Sequence, residues 1–250
     1  MNVRLTIGML CAALAASCAT AAAPRDTLYQ VSLVNALLAK DYNGELTLDE
    51  LLRHGNFGIG TFDRLDGEMI VLDGRIYQAK GDGTVERPPL TETTPWATVT
   101  RFRTDSQLSI DHPMSIEELE AKIDAGLANP NIFYALRIET RIPMIAIRSV
   151  DAQSEPHRDL VGATQGQKSW THEDIKGTLV GIRSPPYVGS MNVTGYHWHF
   201  ISSDREVGGH VIAAELDRGA VDIDHIRTWE VVLPEGDNFG TLDLGAASMP

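Results

Sequence analysis

The stretch from Phe57 to Gln78 constrains the fold most, because two Asp-Gly pairs, at Asp66 and Asp73, each lie between apolar segments. Asp-Gly between apolar runs is the strongest short-range signal for a β-hairpin, since tight hairpin turns need residues that accept positive φ. We therefore predict a β-meander here. Other apolar segments bounded by Gly or Pro predict strands at 96–103, 177–184, 192–202, 210–216 and 229–233, and two more over 133–150.

Three segments carry helical patterns. Thr27–Ala39 has apolar residues at near-helical spacing, which predicts one amphipathic helix. Thr47–Glu50 and Ser115–Glu118 are capping-box patterns, which predict a short helix ending at 54–55 and a longer one reaching residue 128.

Helices mixed with hairpin-linked strands predict an α+β fold rather than a doubly wound α/β fold. We expect two domains, built on mixed or antiparallel sheets with flanking helices. The polar stretch 151–176 is the predicted boundary. It separates an N-terminal α+β domain (24–150) from a β-rich C-terminal domain (151–250), whose sheet would carry the metal site considered below.

The N-terminus has the pattern of an export signal: Arg4, an apolar run and then small residues, which predicts a signal peptide over 1–23. The apolar run is shorter than the roughly 20 residues that a membrane span needs. We expect a periplasmic or secreted protein. Lipid attachment at Cys18 is the less favoured alternative, because its attachment box is degenerate.

Removal of residues 1–23 would take away both cysteines, so the predicted mature chain has neither disulfides nor a thiolate ligand. It would also remove Arg4, and the formal charge would change from −13 to −14. Such acidity argues against nucleic acid or an anionic membrane as a partner. An anionic substrate would have to be captured by local groups.

Three histidines form the most specific chemical pattern. His197 and His199 are separated by one residue in a predicted strand, so both side chains project from the same face. His210 follows a turn-rich connection that would return the chain antiparallel. Three neutral nitrogen ligands without a fourth protein ligand are typical of a catalytic zinc site. A bare His-x-His pair is more often a surface or core pair without a metal, and it is His210 that favours the metal.

Two charged residues in strand-like apolar settings need a partner or a function. Glu68 precedes an apolar run, where burial would raise its pKa and suit it to proton transfer. A solvated turn residue is the alternative. Arg148 lies among apolar residues and requires an anion, which is either Glu139 or a substrate carboxylate.

Beyond single residues, a series of short segments runs in order from about Leu28 to Leu233. They are Phe57-Gly-Ile-Gly-Thr-Phe62, Leu65-Asp-Gly-Glu-Met69, Leu72-Asp-Gly74, Tyr77-Gln78, Tyr134-Ala135, Arg148-Ser-Val150 with Gln153, Gly177-Thr178, Gly195-Tyr-His-Trp-His-Phe200 and Gly208-Gly-His210. This series resembles the α-acetolactate decarboxylase family over nearly the whole predicted mature chain.

The resemblance implies a two-domain α+β zinc enzyme, typically a homodimer, that decarboxylates 2-acetolactate, a 2-hydroxy-3-keto acid, to acetoin through a metal-stabilised enediolate. By position it assigns Zn²⁺ to His197, His199 and His210. It assigns Thr61, Glu68 and Arg148 to the substrate site. One departure stands out: family members often bring a Glu from the C-terminal tail to the metal, whereas the last Glu of this chain is Glu235. Either Asp243 or water would replace it, or the enzyme would work without it.

Three other functions stay open on the residues alone. A three-His zinc hydrolase would use metal-bound water as its nucleophile. A jelly-roll metal oxygenase would need iron and an acidic ligand, for which Asp204 and Glu206 lie nearest in sequence, although their turn position favours solvation. A non-catalytic binding module would show no metal-dependent turnover.

Overall fold

The computed structural model describes residues 27–160, 162 and 167–245. The predicted signal peptide, 1–23, lies outside the described residues. In chain order the strands are β1 (Thr27–Val31), β2 (Leu46–Thr47), β3 (Phe57–Thr61), β4 (Glu68–Leu72), β5 (Arg75–Ala79), β6 (Val85–Glu86), β7 (Thr93–Thr94), β8 (Ala97–Thr100), β9 (Ser106–Ile110), β10 (Met114–Ser115), β11 (Phe133–Ser149), β12 (Lys168–Ser184), β13 (Gly195–Ser202), β14 (Gly208–Leu216), β15 (Gly219–Ile226) and β16 (Thr228–Val232). The α-helices are α1 (Val34–Leu38), α2 (Leu48–His54) and α3 (Ile116–Gly126), and short 3-10 segments span Asp63–Leu65, Pro186–Met191 and Phe239–Thr241.

The described residues form mostly sheet with few helices, which confirms the α+β class. Strands of the first sheet follow the order β16-β1-β8-β3-β4-β5-β6, and those of the second β10-β14-β13-β12-β11-β15-β9. Residues 106–149 and 168–226 thus supply the second sheet, while β16 returns to the first. Strands on both sides of residue 150 therefore belong to the second sheet.

The predicted meander is confirmed, with one difference at its first Asp-Gly pair. Asp73-Gly74 makes a two-residue turn between β4 and β5, in which Leu72 pairs with Arg75. Asp66-Gly67 instead ends a six-residue connection between β3 and β4. Gly67 has φ +90°, and a Cβ there would lie 2.4 Å from the backbone oxygen of Ala79. Glycine is therefore required immediately before Glu68.

The helix predicted over Thr27–Ala39 is wrong for its first half. Residues 27–31 form β1, which pairs in parallel with β16 and antiparallel with β8. Neighbours on both edges hydrogen-bond to this segment, and all five residues are buried. Tertiary pairing overrides the helical spacing of its apolar side chains, and only Val34–Leu38 is helical.

The two strands predicted over 133–150 form one strand, β11. Its ladder with β12 continues on both sides of Pro143, from the Ile142–Ile175 pair to the Met144–Glu173 pair. Asp174, between Ile175 and Glu173, adopts a left-handed conformation with φ +56°. A local irregularity thus accommodates the missing N–H of proline without ending the strand. β9 and β15 were not predicted.

Pairings among β11, β12, β13 and β14 form a closed circuit. β11 pairs with β12 along its length and with β14 through residues 144–148, while β13 bridges β12 and β14. Apolar residues of both sheets share one core cluster, and β4 packs on β13 and β14. The start of β4 is thereby held against the circuit.

Both capping-box patterns begin helices as predicted, and the second forms the complete box. The Thr47 hydroxyl accepts a hydrogen bond from Glu50 N at the start of α2, and Ser115 and Glu118 form a complete capping box at the start of α3. Within the part of the chain that the structure describes, none of the helices is long and apolar enough to cross a membrane.

Candidate active site

Strand register places two of the predicted metal ligands and the predicted anion-binding residue in one row. His199 on β13 pairs directly with His210 on β14, and His210 pairs with Arg148 on β11. Opposite residues of an antiparallel pair point to the same face of the sheet. His197 lies two residues before His199 and projects from that face as well.

The three imidazoles converge on one point. Their candidate ligand nitrogens all lie within 4.8 Å of one another, and His197 Nε2 is 3.1 Å from His210 Nδ1. Two nitrogens bound to one zinc at about 2.0–2.1 Å in a tetrahedral site lie roughly 3.4 Å apart. The observed separation therefore fits a shared metal ion.

Burial keeps these histidines neutral. Desolvation, followed by the charge of neighbouring groups, holds the pKa of His197 and of His210 well below the usual value. For His199, desolvation lowers the pKa to about 4. Neutral imidazoles retain the lone pairs that bind a metal, so the environment prepares all three rings as ligands at neutral pH.

A hydrogen bond fixes the tautomer of His199, which is fully buried. Its Nδ1 lies 2.8 Å from the carbonyl oxygen of Met69 and donates to it. Nε2 must then carry the lone pair, and among the described residues it has no hydrogen-bond partner. A backbone carbonyl that orients one nitrogen while the other stays free is the usual support of a metal-binding histidine. The donor set thus fits Zn²⁺.

Glu68 and Thr61 approach the histidines from the first sheet, where they form a cross-strand pair. A Glu68 carboxylate oxygen lies 3.4 Å from His199 Nε2. Burial raises the pKa of Glu68 to about 7, although the charge of Arg148 opposes the shift. The Thr61 hydroxyl donates to the Gly67 carbonyl at 2.8 Å. Its only hydrogen is used there, so its oxygen offers lone pairs to a ligand.

Arg148 has no acidic partner within 4 Å among the described residues. Glu139, the predicted structural partner, pairs with Arg137. Arg148 instead donates from Nη1 to the side-chain oxygen of Gln167 at 2.6 Å. Its Nε is buried without a hydrogen-bond partner in the described residues. The guanidinium therefore keeps its charge and a spare donor for a ligand.

These groups surround a cavity of about 370 Å³. Its polar wall consists of Thr61, Glu68, Arg148, His197 and His210, with His199 buried behind it. The remaining wall, apart from Gly60, is apolar or aromatic: Val34, Leu37, Leu65, Trp96, Val150, Leu160, Val193 and Tyr196. A few convergent polar groups in an apolar cavity are typical of a small-molecule site.

Helix α3 contacts Tyr196 and Trp198, which alternate with the two histidines along β13. The Trp198 indole N–H donates to Glu120 at 2.9 Å. The Tyr196 hydroxyl lies within hydrogen-bond distance of the Glu120 carbonyl and the Asp124 carboxylate. Side chains alternate along a strand. Contacts that fix Tyr196 and Trp198 therefore also fix the direction of His197, which lies between them, and of His199, which follows Trp198.

The structure brings all six predicted site residues together and leaves other candidates outside. Asp204 accepts hydrogen bonds from Ser202 and from Glu206 N within a turn, as expected for solvated turn residues. Asp243 is exposed, and its carboxylate accepts from Gly245 N. Neither Asp204 nor Asp243 belongs to the cavity wall that the described residues form.

Sequence reasoning missed two residues of the site. Trp96 lines the cavity and stacks on His197, with ring centroids 5.7 Å apart. Gln167 contacts Arg148. A tryptophan at a strand start and a glutamine in a polar stretch carry no local signal for such roles, since only the tertiary fold places them there.

Comparisons with known proteins point to one family. The profile of the family described as alpha-acetolactate decarboxylase matches residues 28–246. An alpha-acetolactate decarboxylase of Methanosarcina mazei is 41% identical over 220 residues, covering 88% of this chain and 76% of the relative. One from Raoultella terrigena is 38% identical over 221 residues, covering 88% and 85%. The crystal structure of alpha-acetolactate decarboxylase from Bacillus subtilis strain 168 superposes with a TM-score of 0.85 at 35% identity, covering 87% of this chain and 93% of that one.

Proposed function

The chain belongs to the alpha-acetolactate decarboxylase family, and we propose that it converts 2-acetolactate to acetoin with a zinc ion held by His197, His199 and His210. Decarboxylation of acetolactate is the activity named for its relatives. Convergence of three neutral histidines on one point carries the zinc part of the proposal. When bound, the ion would supply a Lewis acid that stabilises the negative charge left by the loss of CO2.

Arg148 is the residue we assign to the substrate carboxylate. It lines the cavity and keeps an unpaired donor, Nε, in an otherwise acidic protein. A guanidinium binds a carboxylate through two parallel hydrogen bonds, which fixes its orientation as well as its position. This local cation supplies the attraction that the overall charge does not.

Thr61 orients the substrate as an acceptor. Its hydroxyl hydrogen is committed to Gly67 O, so the oxygen can accept from the substrate hydroxyl. Because Thr61 pairs with Glu68 across β3 and β4, the two side chains act on neighbouring substrate atoms. The apolar wall would accommodate the methyl groups and exclude water.

Glu68 delivers the proton. When the bond to CO2 breaks, its electron pair remains on the substrate as an enediolate, and a carbon must then be protonated. A carboxyl group with a pKa of about 7 is partly protonated at neutral pH and can donate to carbon. Its carboxylate lies in the cavity wall with Arg148 and is 3.4 Å from His199 Nε2, which puts that proton beside the reacting atoms.

The test is acetoin and CO2 formation from racemic 2-acetolactate by signal-free protein, before and after chelation and after addition of zinc. We expect loss on chelation and recovery with zinc. Stoichiometric zinc without acetoin would contradict the activity and favour the three-His hydrolase, which ester hydrolysis would detect. Acetoin formation that survives complete removal of metal would contradict the zinc part alone.

We also propose that the protein is exported and forms a homodimer, as the predicted signal peptide and the family resemblance suggest. The mass of the protein recovered from the periplasm or medium would reveal cleavage near residue 23. Light scattering of the purified protein would give its oligomeric state, and a monomer at all concentrations would contradict the dimer.

A further inference from the structure

We propose that Gln167 is a positioning residue, which holds the Arg148 guanidinium through a neutral acceptor and so leaves its positive charge available to the substrate carboxylate. The inference rests on the proposed function, because it concerns how the carboxylate of that substrate is bound. It assigns a role in anion binding to a residue outside the predicted site.

The contact between the two side chains is direct. Arg148 Nη1 donates to Gln167 Oε1 at 2.6 Å, a short distance typical of a hydrogen bond from a charged donor. Both residues are half-buried. An amide oxygen satisfies one donor of the guanidinium and restricts its rotation, yet it carries no net charge. Arg148 is therefore fixed without being neutralised.

Arg183, a buried arginine of the same sheet, shows the contrasting arrangement. Arg183 forms an ion pair with Asp124 at 3.2 Å and donates a second hydrogen bond to the Pro130 carbonyl. Its charge is compensated inside the protein, as is usual for a buried cation. Arg148 is held by an amide where Arg183 is held by a carboxylate, and only Arg148 lines the cavity.

The sheet determines where Gln167 lies. The next two residues, Lys168 and Ser169, pair with Ser149 and Arg148 in the β11–β12 ladder. Gln167 is thus one residue beyond the ladder, and the pairing of Lys168 and Ser169 with β11 places it next to the guanidinium. Since β14 pairs with the other edge of β11 at Arg148, the backbone of Arg148 lies between Ser169 on β12 and His210 on β14.

A carboxylate in place of the amide would act differently. Gln167→Glu would keep a side-chain oxygen at the same distance from Arg148. That oxygen would carry negative charge, form an ion pair with Arg148 and compete with the substrate carboxylate for the guanidinium. The size of the side chain is nearly unchanged, so Gln167→Glu isolates charge from shape. Gln167→Ala removes the contact without adding charge.

The experiment compares kcat and KM for racemic 2-acetolactate in zinc-loaded wild type, Gln167→Ala and Gln167→Glu. We expect KM to rise about threefold in Gln167→Ala and at least about tenfold in Gln167→Glu, as expected for loss of a hydrogen bond and of a charged contact respectively. A purely structural role predicts the reverse order, because glutamate keeps an acceptor oxygen and alanine does not. Asn131→Asp, an amide-to-carboxylate change at an exposed residue, controls for net charge.

Ligand binding gives a readout that does not depend on turnover. Calorimetric titration with lactate as the carboxylate probe should show binding at least about tenfold weaker in Gln167→Glu than in wild type. Titration with acetoin, which lacks a carboxylate, should be unchanged. Equal lactate binding by wild type and Gln167→Glu, or a larger loss in Gln167→Ala, would overturn the proposal.

Failure of the proposed function would look different from failure of this inference. If wild type makes no acetoin but Gln167→Glu still loses lactate binding, the anion-holding role stands and the assigned reaction does not. If wild type makes acetoin and Gln167→Glu has the KM and lactate affinity of wild type, the reaction stands and the role of Gln167 is refuted.

Discussion

Replacing Glu68 by Gln should abolish turnover and at the same time stabilise the metal-free protein above neutral pH. Burial raises the pKa of this carboxyl from 4.5 to about 7, so the folded protein binds a proton that the unfolded chain releases. At about 1.4 kcal/mol per pH unit, ionising Glu68 in the folded state costs roughly 3 kcal/mol above pH 7. The cost is small near pH 4.5 and grows as pH rises to 7, because the folded pKa is the higher one.

Glutamine has the same shape and no charge, so this cost disappears in the variant. The side chain of Glu68 is still 16% exposed, and water relaxes part of the penalty. We therefore expect the advantage of Glu68→Gln over wild type to be about 2 kcal/mol larger at pH 8 than at pH 5. A variant that gains stability while losing proton transfer would show that the raised pKa is maintained for catalysis.

The assay is urea unfolding of both proteins after chelation, at pH 5 and pH 8, followed by acetoin formation after zinc is restored. Protonation of the histidines affects both proteins and cancels in the difference between them. Glu92→Gln serves as a control, since it makes the same change of charge at a residue outside the cavity wall. An advantage of Glu68→Gln that is equal at pH 5 and pH 8, or a normal kcat, would refute the reasoning.

Three further changes test other parts of the site. His199→Ala removes a fully buried ligand, and both zinc content, by elemental analysis, and acetoin formation should fall to background; retained stoichiometric zinc would contradict its role. Ser115→Ala removes the capping box of α3 and should lower the free energy of unfolding by about 1 kcal/mol, by urea denaturation, with kcat unchanged. Glu120→Ala leaves the Trp198 indole N–H without its acceptor, which should cost about 1–3 kcal/mol. Adding Trp198→Phe, which removes the donor as well, should recover part of that loss, and full additivity of the two changes would argue against the contact.

Features encoded by neighbouring residues could be predicted from the sequence. The side-chain caps that begin α2 and α3 and the Asp73-Gly74 hairpin each depend on atoms only a few residues apart, so their chemistry is visible in the chain. The two histidines of one strand are likewise visible, because alternation alone places them on one face.

Features that depend on distant partners could not be predicted in this way. Residues 27–31 have helical spacing but become a strand through pairing with residues 228–232, about 200 positions away. The continuity of β11 through Pro143 depends on the conformation of Asp174 in the neighbouring strand. Gln167 meets Arg148 only because the ladder places it there. The strands on either side of residue 150 likewise lie in one sheet because they pair with each other in the folded chain.

Several buried polar atoms without hydrogen-bond partners lie around one cavity, and they link the stability of this fold to its function. Among the described residues, His197 Nδ1, His199 Nε2, Arg148 Nε and Trp96 Nε1 are buried without hydrogen-bond partners, and all four residues lie at the cavity or directly behind its wall. Each such atom costs stability until a partner arrives. Any group that supplies partners, a metal for His199 or a carboxylate for Arg148, must then bind the folded protein in preference to the unfolded chain and stabilise it by mass action. The interior that makes the metal-free protein less stable is therefore the same interior that selects a metal and a small acid.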